Sequence, residues 1–97
     1  MNARDAIPLP SCPTLARQVR FRLDPVSAEP VLLYPEGVLV LNETAADIVQ
    51  RCDGKTAITQ MIAQMSDEYQ VDEATLRDDV LDCLTDLSQR SLLVFIP

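Results

Sequence analysis

Residues 33–42 constrain the fold of this chain more than any other segment. An apolar run ends at Pro35, a second apolar run begins after Gly37, and Asn42 opens a helical pattern. Pro35 suits the second position of a type I turn because its φ is fixed, and Gly37 can supply the left-handed residue that closes a bulged hairpin. The segment therefore predicts two short antiparallel strands, the second of which, residues 38–41, lies at the edge of a small sheet.

A further strand is predicted just before this hairpin. Val19, Phe21 and Leu23 alternate with polar residues, which is the period of a half-buried strand. Residues 31–34 then form the next strand after Pro30. Three short antiparallel strands are not stable alone, so the sheet needs a helical layer to cover one face.

Residues 43–90 predict three helices that supply this layer. Asn42 is a favourable N-cap for the first helix, which we expect to end at Gly54 in a left-handed conformation. Thr56 and Asp72 can cap the second and third helices. The expected core-facing residues are Ala45, Ile48, Val49 and Cys52, then Ile58, Met61, Ile62 and Met65, then Leu76, Val80, Leu84 and Leu87.

The apolar run of residues 92–96 predicts a final short strand or wing. The whole pattern indicates an α+β fold like a winged helix-turn-helix, with a three-stranded antiparallel sheet followed by three helices and this C-terminal element. Residues 1–16 contain three prolines without sustained periodicity and predict a flexible tail, whereas residues 17–97 predict a single domain.

Charge is unevenly distributed along the chain, whose net charge is −7. Residues 1–23 contain four arginines and one aspartate, whereas residues 24–97 contain four basic and fourteen acidic residues. Nucleic-acid binding needs a basic face, so this distribution argues against it. The acidic run of residues 67–86 has two interpretations, a solvated helix face or a rim that steers a basic partner.

The sequence offers few groups for catalysis or metal binding. It has no histidine, no closely spaced cysteines and only two glycines, so no catalytic residue, metal site or phosphate-binding loop is predicted. Cys52 and Cys83 lie on apolar helix faces, where they act as small core residues or as redox groups. Three widely spaced cysteines, no signal-like N-terminus and no apolar run of ~18 residues predict a cytoplasmic protein without a membrane span.

Four short motifs occur in order: Leu32-Leu33-Tyr34-Pro35-Glu36-Gly37, Leu41-Asn42-Glu43-Thr44-Ala45, Cys52-Asp53-Gly54, and Asp79-Val80 with Leu84 and Leu87. In this order and spacing they resemble the PqqD family across residues 15–94. The chain departs from the family pattern at Arg90-Ser91, where a glycine is more usual. That departure concerns the geometry of the third helix end.

The resemblance implies a peptide chaperone of pyrroloquinoline quinone (PQQ) biosynthesis, a recognition element for ribosomally made peptides. Such a protein captures the precursor peptide PqqA and presents it to the radical S-adenosylmethionine enzyme PqqE, which joins a glutamate and a tyrosine side chain. The family is not expected to be catalytic or to hold a cofactor. This sequence also lacks the cysteine cluster that an iron–sulfur centre requires.

We expect the peptide to add as an antiparallel strand to residues 38–41 and to contact the third helix. The predicted peptide-binding residues are Val38, Leu39, Val40, Leu41, Asp79, Cys83 and Asp86, and the predicted turn and structural residues are Tyr34, Pro35, Glu36, Gly37, Asn42 and Gly54. Side chains alternate along a strand, so Val38 and Val40 share one face. The sequence leaves open which face meets the peptide.

Two other classes of protein share parts of the pattern. A winged-helix DNA-binding regulator needs a basic recognition helix, but residues 57–67 contain no lysine or arginine. An acyl-carrier protein needs a modifiable serine, usually after aspartate, and no serine here follows one. The oligomeric state is open between a monomer and an exchanged homodimer, because a proline-bearing tail and a free strand edge permit exchange.

Overall fold

A computed structural model describes residues 6–97, which form five strands and three helices. The elements in chain order are β1 (Cys12–Leu15), β2 (Arg20–Leu23), β3 (Pro30–Tyr34), β4 (Gly37–Val40), α1 (Glu43–Gln50), α2 (Ile58–Tyr69), α3 (Glu73–Gln89) and β5 (Leu93–Ile96). The predicted three-stranded antiparallel sheet, three helices and C-terminal strand are confirmed. No helix within residues 6–97 is long and apolar enough to cross a membrane.

The predicted hairpin is present, but its turn differs from the expectation. Tyr34 pairs directly with Gly37, so Pro35 and Glu36 alone connect β3 to β4. Gly37 is therefore a strand residue, and it has no positive φ. The predicted left-handed bulge at Gly37 is wrong, because a two-residue connection leaves no position for an extra residue.

The N-terminal segment is not merely a tail. Cys12–Leu15 pairs antiparallel with β5, with Cys12 opposite Ile96. The carbonyl oxygens of Leu9 and Ser11 accept hydrogen bonds from Thr59 and Ile58 at the start of α2, at 3.3 and 3.1 Å. The predicted boundary at residue 16 is corrected accordingly, whereas residues 1–5 of the predicted tail lie outside the described residues. Pairing with a strand some eighty positions away leaves no local periodicity to detect.

The helix ends agree only in part with the predicted caps. Asn42 is confirmed as the cap of α1, since its Oδ1 accepts a hydrogen bond from the Ala45 N–H at 2.7 Å. Thr56 does not cap α2, because its N–H and hydroxyl both bind the Asp53 carboxylate and Ala57 occupies the cap position. Asp72 occupies the cap position of α3 without a side-chain hydrogen bond to the helix.

The connection after α1 contains the second glycine. α1 ends at Gln50 with Arg51 as its cap, so Gly54 lies beyond the helix end and is not its cap, contrary to the expectation. Gly54 nevertheless has the predicted left-handed conformation, with φ of 74°. Its N–H donates to the Pro13 carbonyl at 3.0 Å, which joins this loop to β1.

α3 ends in a Schellman motif although it has no glycine there. Ser91 takes the left-handed conformation with φ of 62°. The Ser91 N–H donates to the Ser88 carbonyl and the Leu92 N–H donates to the Leu87 carbonyl, both at 2.9 Å. These two bonds satisfy free carbonyl groups at the helix end and turn the chain into β5.

The hydrophobic core lies between the three-stranded sheet and the helices. Its fully buried side chains are Leu32, Ile48, Ile58, Met61, Met65, Val80, Leu84 and Leu87.

At the edge of the core, Arg51 joins α1 to α2, because its guanidinium binds the Asp47 carboxylate at 2.8 Å and also contacts Glu68. Partial burial opposes ionisation of Asp47, but hydrogen bonds from Arg51 and Tyr69 outweigh it and hold the Asp47 pKa below its ordinary value.

Candidate functional site

β4 is an edge strand with unpaired backbone groups. Within residues 6–97 the sheet order is β2-β3-β4, so β4 pairs with β3 along one side only. The Leu41 N–H donates to the Pro30 carbonyl at 2.9 Å. Because antiparallel strands alternate their bonding groups, Gly37, Leu39 and Leu41 face β3, while the N–H and C=O of Val38 and Val40 point away from the sheet.

A groove of about 550 Å³ runs beside this free edge. It lies between β4, α1 and α3, and its lining residues are Leu39, Val40, Leu41, Asn42, Thr44, Ala45, Ile48, Asp79, Asp82, Cys83, Asp86 and Leu87. Six of the seven residues predicted to bind peptide are therefore brought together. Val38 is outside this lining, although its backbone is at the free edge.

The lining also contains residues that sequence reasoning missed. Thr44 and Ala45 come from the first turn of α1, and Asp82 comes from the same side of α3 as Asp79 and Asp86. Asp82 could have been found, because it follows Asp79 by three residues and therefore shares its helix face. The contribution of α1 depends on how α1 packs against α3, which no local pattern encodes.

The strand face left open by the sequence is resolved by burial. Leu41 is only 6% exposed and Leu39 packs against the core, so this pair faces inward. Val38 and Val40 are 57% and 58% exposed on the opposite face. Any extended segment that pairs with β4 would likewise place alternate side chains toward the groove and toward the outer face.

The two walls of the groove differ in chemistry. The β4 and α1 side is largely apolar, whereas α3 contributes Asp79, Asp82 and Asp86 on successive turns. The Asp86 carboxylate is bound by the Arg90 guanidinium at 3.1 Å. Among residues 6–97, no lysine or arginine contributes to this lining, so this part of the groove suits a ligand with apolar and basic side chains.

The cysteines have the properties of structural residues. Burial, followed by the nearby charge of Asp86, raises the pKa of Cys83 to about 11. Burial likewise raises the pKa of Cys52 to about 12, and its thiol donates to the Ile48 carbonyl at 3.1 Å. Both side chains are therefore protonated thiols at neutral pH, which makes them poor nucleophiles. Within residues 6–97, no cluster of side chains is suited to hold a metal ion.

Of the predicted turn and structural residues, Asn42 lines this groove, whereas those of the hairpin turn lie elsewhere. Tyr34, Pro35 and Glu36 line a second, smaller depression of about 460 Å³ together with Arg17 and Arg90. The Tyr34 ring is half-buried against the core. Tyr34 therefore contributes to the packing of the hairpin and does not line the groove.

The chain is similar to proteins of one family across most of its length. Residues 29–93 match the model of PqqD, coenzyme PQQ synthesis protein D. A "PqqA binding protein" of Rhodopseudomonas palustris strain BisB5 is 35% identical over 83 residues, which cover 86% of this chain and 81% of the relative. The "PqqA binding protein" of Xanthomonas campestris pv. campestris strain 8004 is also 35% identical, over 86% of this chain and 90% of the relative.

Two solved structures share this fold. The solution structure of the PqqD truncation of Methylobacterium extorquens PqqCD has a TM-score of 0.74 and 33% identity, covering 84% of this chain and 87% of that one. That protein is described as a functional, stand-alone recognition element for ribosomally synthesised and post-translationally modified peptides. The crystal structure of PqqD from Xanthomonas campestris has a TM-score of 0.57 and 34% identity, covering 89% and 96% of the two chains.

Proposed function

This chain belongs to the PqqD family, coenzyme PQQ synthesis protein D, and on that premise we propose that it is a non-catalytic peptide chaperone of PQQ biosynthesis. It binds the precursor peptide PqqA and presents it to the radical S-adenosylmethionine enzyme PqqE. The names of its relatives support PqqA as the ligand. The observation that carries the proposal is the free edge of β4 beside an apolar and acidic groove.

The peptide binds by strand addition to β4. Val38 and Val40 each offer one N–H and one C=O at the free edge, so an antiparallel peptide forms about four backbone hydrogen bonds with them. At about 1 kcal/mol each, these bonds contribute affinity that depends little on peptide sequence. Leu39 and Leu41 remain bonded to β3, so binding does not disturb the existing sheet.

The groove supplies the specificity. Alternate peptide side chains enter it, where apolar ones contact Leu39 and the start of α1 and basic ones face α3. A lysine or arginine of the peptide pairs with Asp79 or Asp86. Because these carboxylates are exposed, each pair contributes at most about 1 kcal/mol and weakens as salt rises.

The chemistry of peptide modification belongs to the partner enzyme. In the groove, the thiol of Cys83 is held protonated by its pKa of about 11, which makes it a poor nucleophile. The location is cytoplasmic, in keeping with three free cysteines. The binding form is the monomer, because an exchanged homodimer that used the β4 edge would compete with the peptide.

Isothermal titration with synthetic PqqA and a scrambled peptide of equal composition tests this function. We expect saturable one-to-one binding of PqqA alone. Absence of binding by a folded monomer, established by light scattering and circular dichroism, would refute the chaperone role. Absence of binding by a stable dimer would refute the monomer as the form present in solution.

A further inference from the structure

The sheet face that points away from the helices carries exposed apolar side chains. Leu33 is 38% exposed, and it lies directly opposite Val38 in the register of β3 and β4. Val40 lies two positions further along β4 on the same face. These three side chains form the outer patch of the sheet, on the side opposite the core.

A fourth apolar residue, Val31, lies on this face of the sheet but is buried among its neighbours. Val31 is only 4% exposed, yet within residues 6–97 it is buried without joining the core cluster beneath the sheet. Its cross-strand neighbours are Val40 on one side and Arg22 on the other. Val31 therefore adds almost no exposed surface, but its position places the exposed Val40 and the arginines of β2 on the same face of the sheet.

Two arginines of β2 border the outer patch. Arg20 and Arg22 lie on this face, and their guanidinium groups donate to the adjacent backbone carbonyls at 3.5 and 3.1 Å. The ion pairs found within residues 6–97 are made by Arg51 and Arg90. Arg20 and Arg22 are therefore two exposed positive charges without a carboxylate partner among residues 6–97, in a protein whose net charge is −7.

We infer that the outer patch, with Arg20 and Arg22, is the docking surface for an acidic and apolar surface of the enzyme that modifies the bound peptide. This inference rests on the proposed function. Exposed apolar residues beside unpaired arginines match a partner that has apolar side chains within an acidic rim. A peptide added to β4 continues this same face with its own alternate side chains, so an enzyme docked here lies against its substrate.

A second copy of this chain fits the outer patch less well. A twofold contact through this face would bring Arg20 and Arg22 of both copies to the same patch. Repulsion among four unpaired arginines opposes such a dimer, whereas an acidic partner neutralises them. Charge therefore favours the enzyme over self-association.

Binding of purified PqqE by the full-length chain tests the inference, with and without PqqA. The test variant is Arg20→Glu/Arg22→Glu, and the matched control is Lys55→Glu/Arg77→Glu, which changes net charge equally at exposed positions outside the patch and the groove. We expect the test variant to bind PqqE at least tenfold more weakly and the control to stay within twofold of the parent. Equal enzyme affinity of the two variants would overturn the inference.

Further measurements separate this inference from the proposed function and from misfolding. PqqA affinity of the test variant should stay within twofold of the parent, since neither arginine contributes to the groove. If the parent chain binds PqqE but not PqqA, the proposed function fails while the enzyme measurements still decide the docking surface. Arg20→Gln/Arg22→Gln should also weaken PqqE binding without reversing charge. If the parent chain is a dimer and the Arg20→Glu/Arg22→Glu variant is a monomer, the outer patch serves self-association and the inference is overturned.

Discussion

Replacing Val40 with proline tests how much the backbone N–H at the free edge of β4 contributes to peptide binding. The substitution removes no hydrogen bond that stabilises the domain itself. The Val40 N–H points away from β3, so proline removes a hydrogen-bond donor to the peptide but none from the existing sheet. The side chain is 58% exposed, which limits the loss of packing. Val40→Pro should therefore weaken peptide binding and leave the domain folded.

The size of the effect follows from the lost hydrogen bond. The bond itself is worth about 1 kcal/mol, and the peptide carbonyl that loses its donor adds a desolvation cost of about 1 kcal/mol or more. Together these amount to about 2 kcal/mol, or roughly a thirtyfold increase in Kd. The free energy of unfolding should fall by less than about 1 kcal/mol, since no ladder hydrogen bond is lost.

Isothermal titration with PqqA measures the affinity, and urea unfolding measures the stability. Val40→Thr is the matched control, because threonine has nearly the same shape and retains the backbone N–H. We expect the threonine variant to bind within about threefold of the parent, which corresponds to about 0.6 kcal/mol. An unchanged Kd for Val40→Pro, in a protein with a native circular dichroism spectrum, would refute strand addition at β4.

Four further predictions concern the fold and the groove. Ser91→Gly should raise the free energy of unfolding by about 0.5–1 kcal/mol in urea titrations, because glycine takes a positive φ without steric cost. No increase would show that the backbone at Ser91 is not strained. Deletion of residues 1–16 should lower the free energy of unfolding by on the order of 3 kcal/mol or more, since it removes β1 and the carbonyl groups that accept hydrogen bonds from the start of α2. An unchanged unfolding midpoint would show that these residues act only as a tail. The Asp47 pKa is lowered in the folded state, so ionised Asp47 stabilises the fold above its ordinary pKa of 3.8, and this stabilisation is lost as the pH falls below that value. The difference in the free energy of unfolding between the parent and Asp47→Asn should therefore shrink at low pH, and a difference that stays unchanged would refute the reasoning. Asp79→Asn should weaken PqqA binding about two- to fivefold at low salt and less at high salt, and equal losses at both would argue against an ionic contact.

The parts of the fold that were predicted correctly depend on neighbouring residues. Alternation around Phe21 and the proline turn after Tyr34 encode the sheet, because strand period and turn chemistry act over a few positions. The Asn42 cap was found for the same reason, since its partner is only three residues away. The left-handed conformation at Gly37 was predicted wrongly, because the same Pro-Glu-Gly sequence is compatible with both a two-residue turn and a bulged one.

The candidate site was predicted in outline and completed by packing. The free edge of β4 and the α3 carboxylates were accessible to sequence reasoning, because an edge strand and a shared helix face follow from local periodicity. The wall formed by Thr44 and Ala45 was not, because it depends on the angle at which α1 meets α3. The outward direction of Val38 and Val40 likewise depended on which strand face the helices cover.

By itself the sequence determined the order and type of most elements, the family pattern, and the acidic character of α3. Tertiary structure decided that Cys12–Leu15 joins β5, that Ser91 takes the left-handed conformation at the end of α3, and that β4, α1 and α3 enclose one groove. The division has a physical cause. Hydrogen bonds and side-chain spacing within an element act over a few residues, whereas strand pairing across eighty positions and helix packing depend on the whole core.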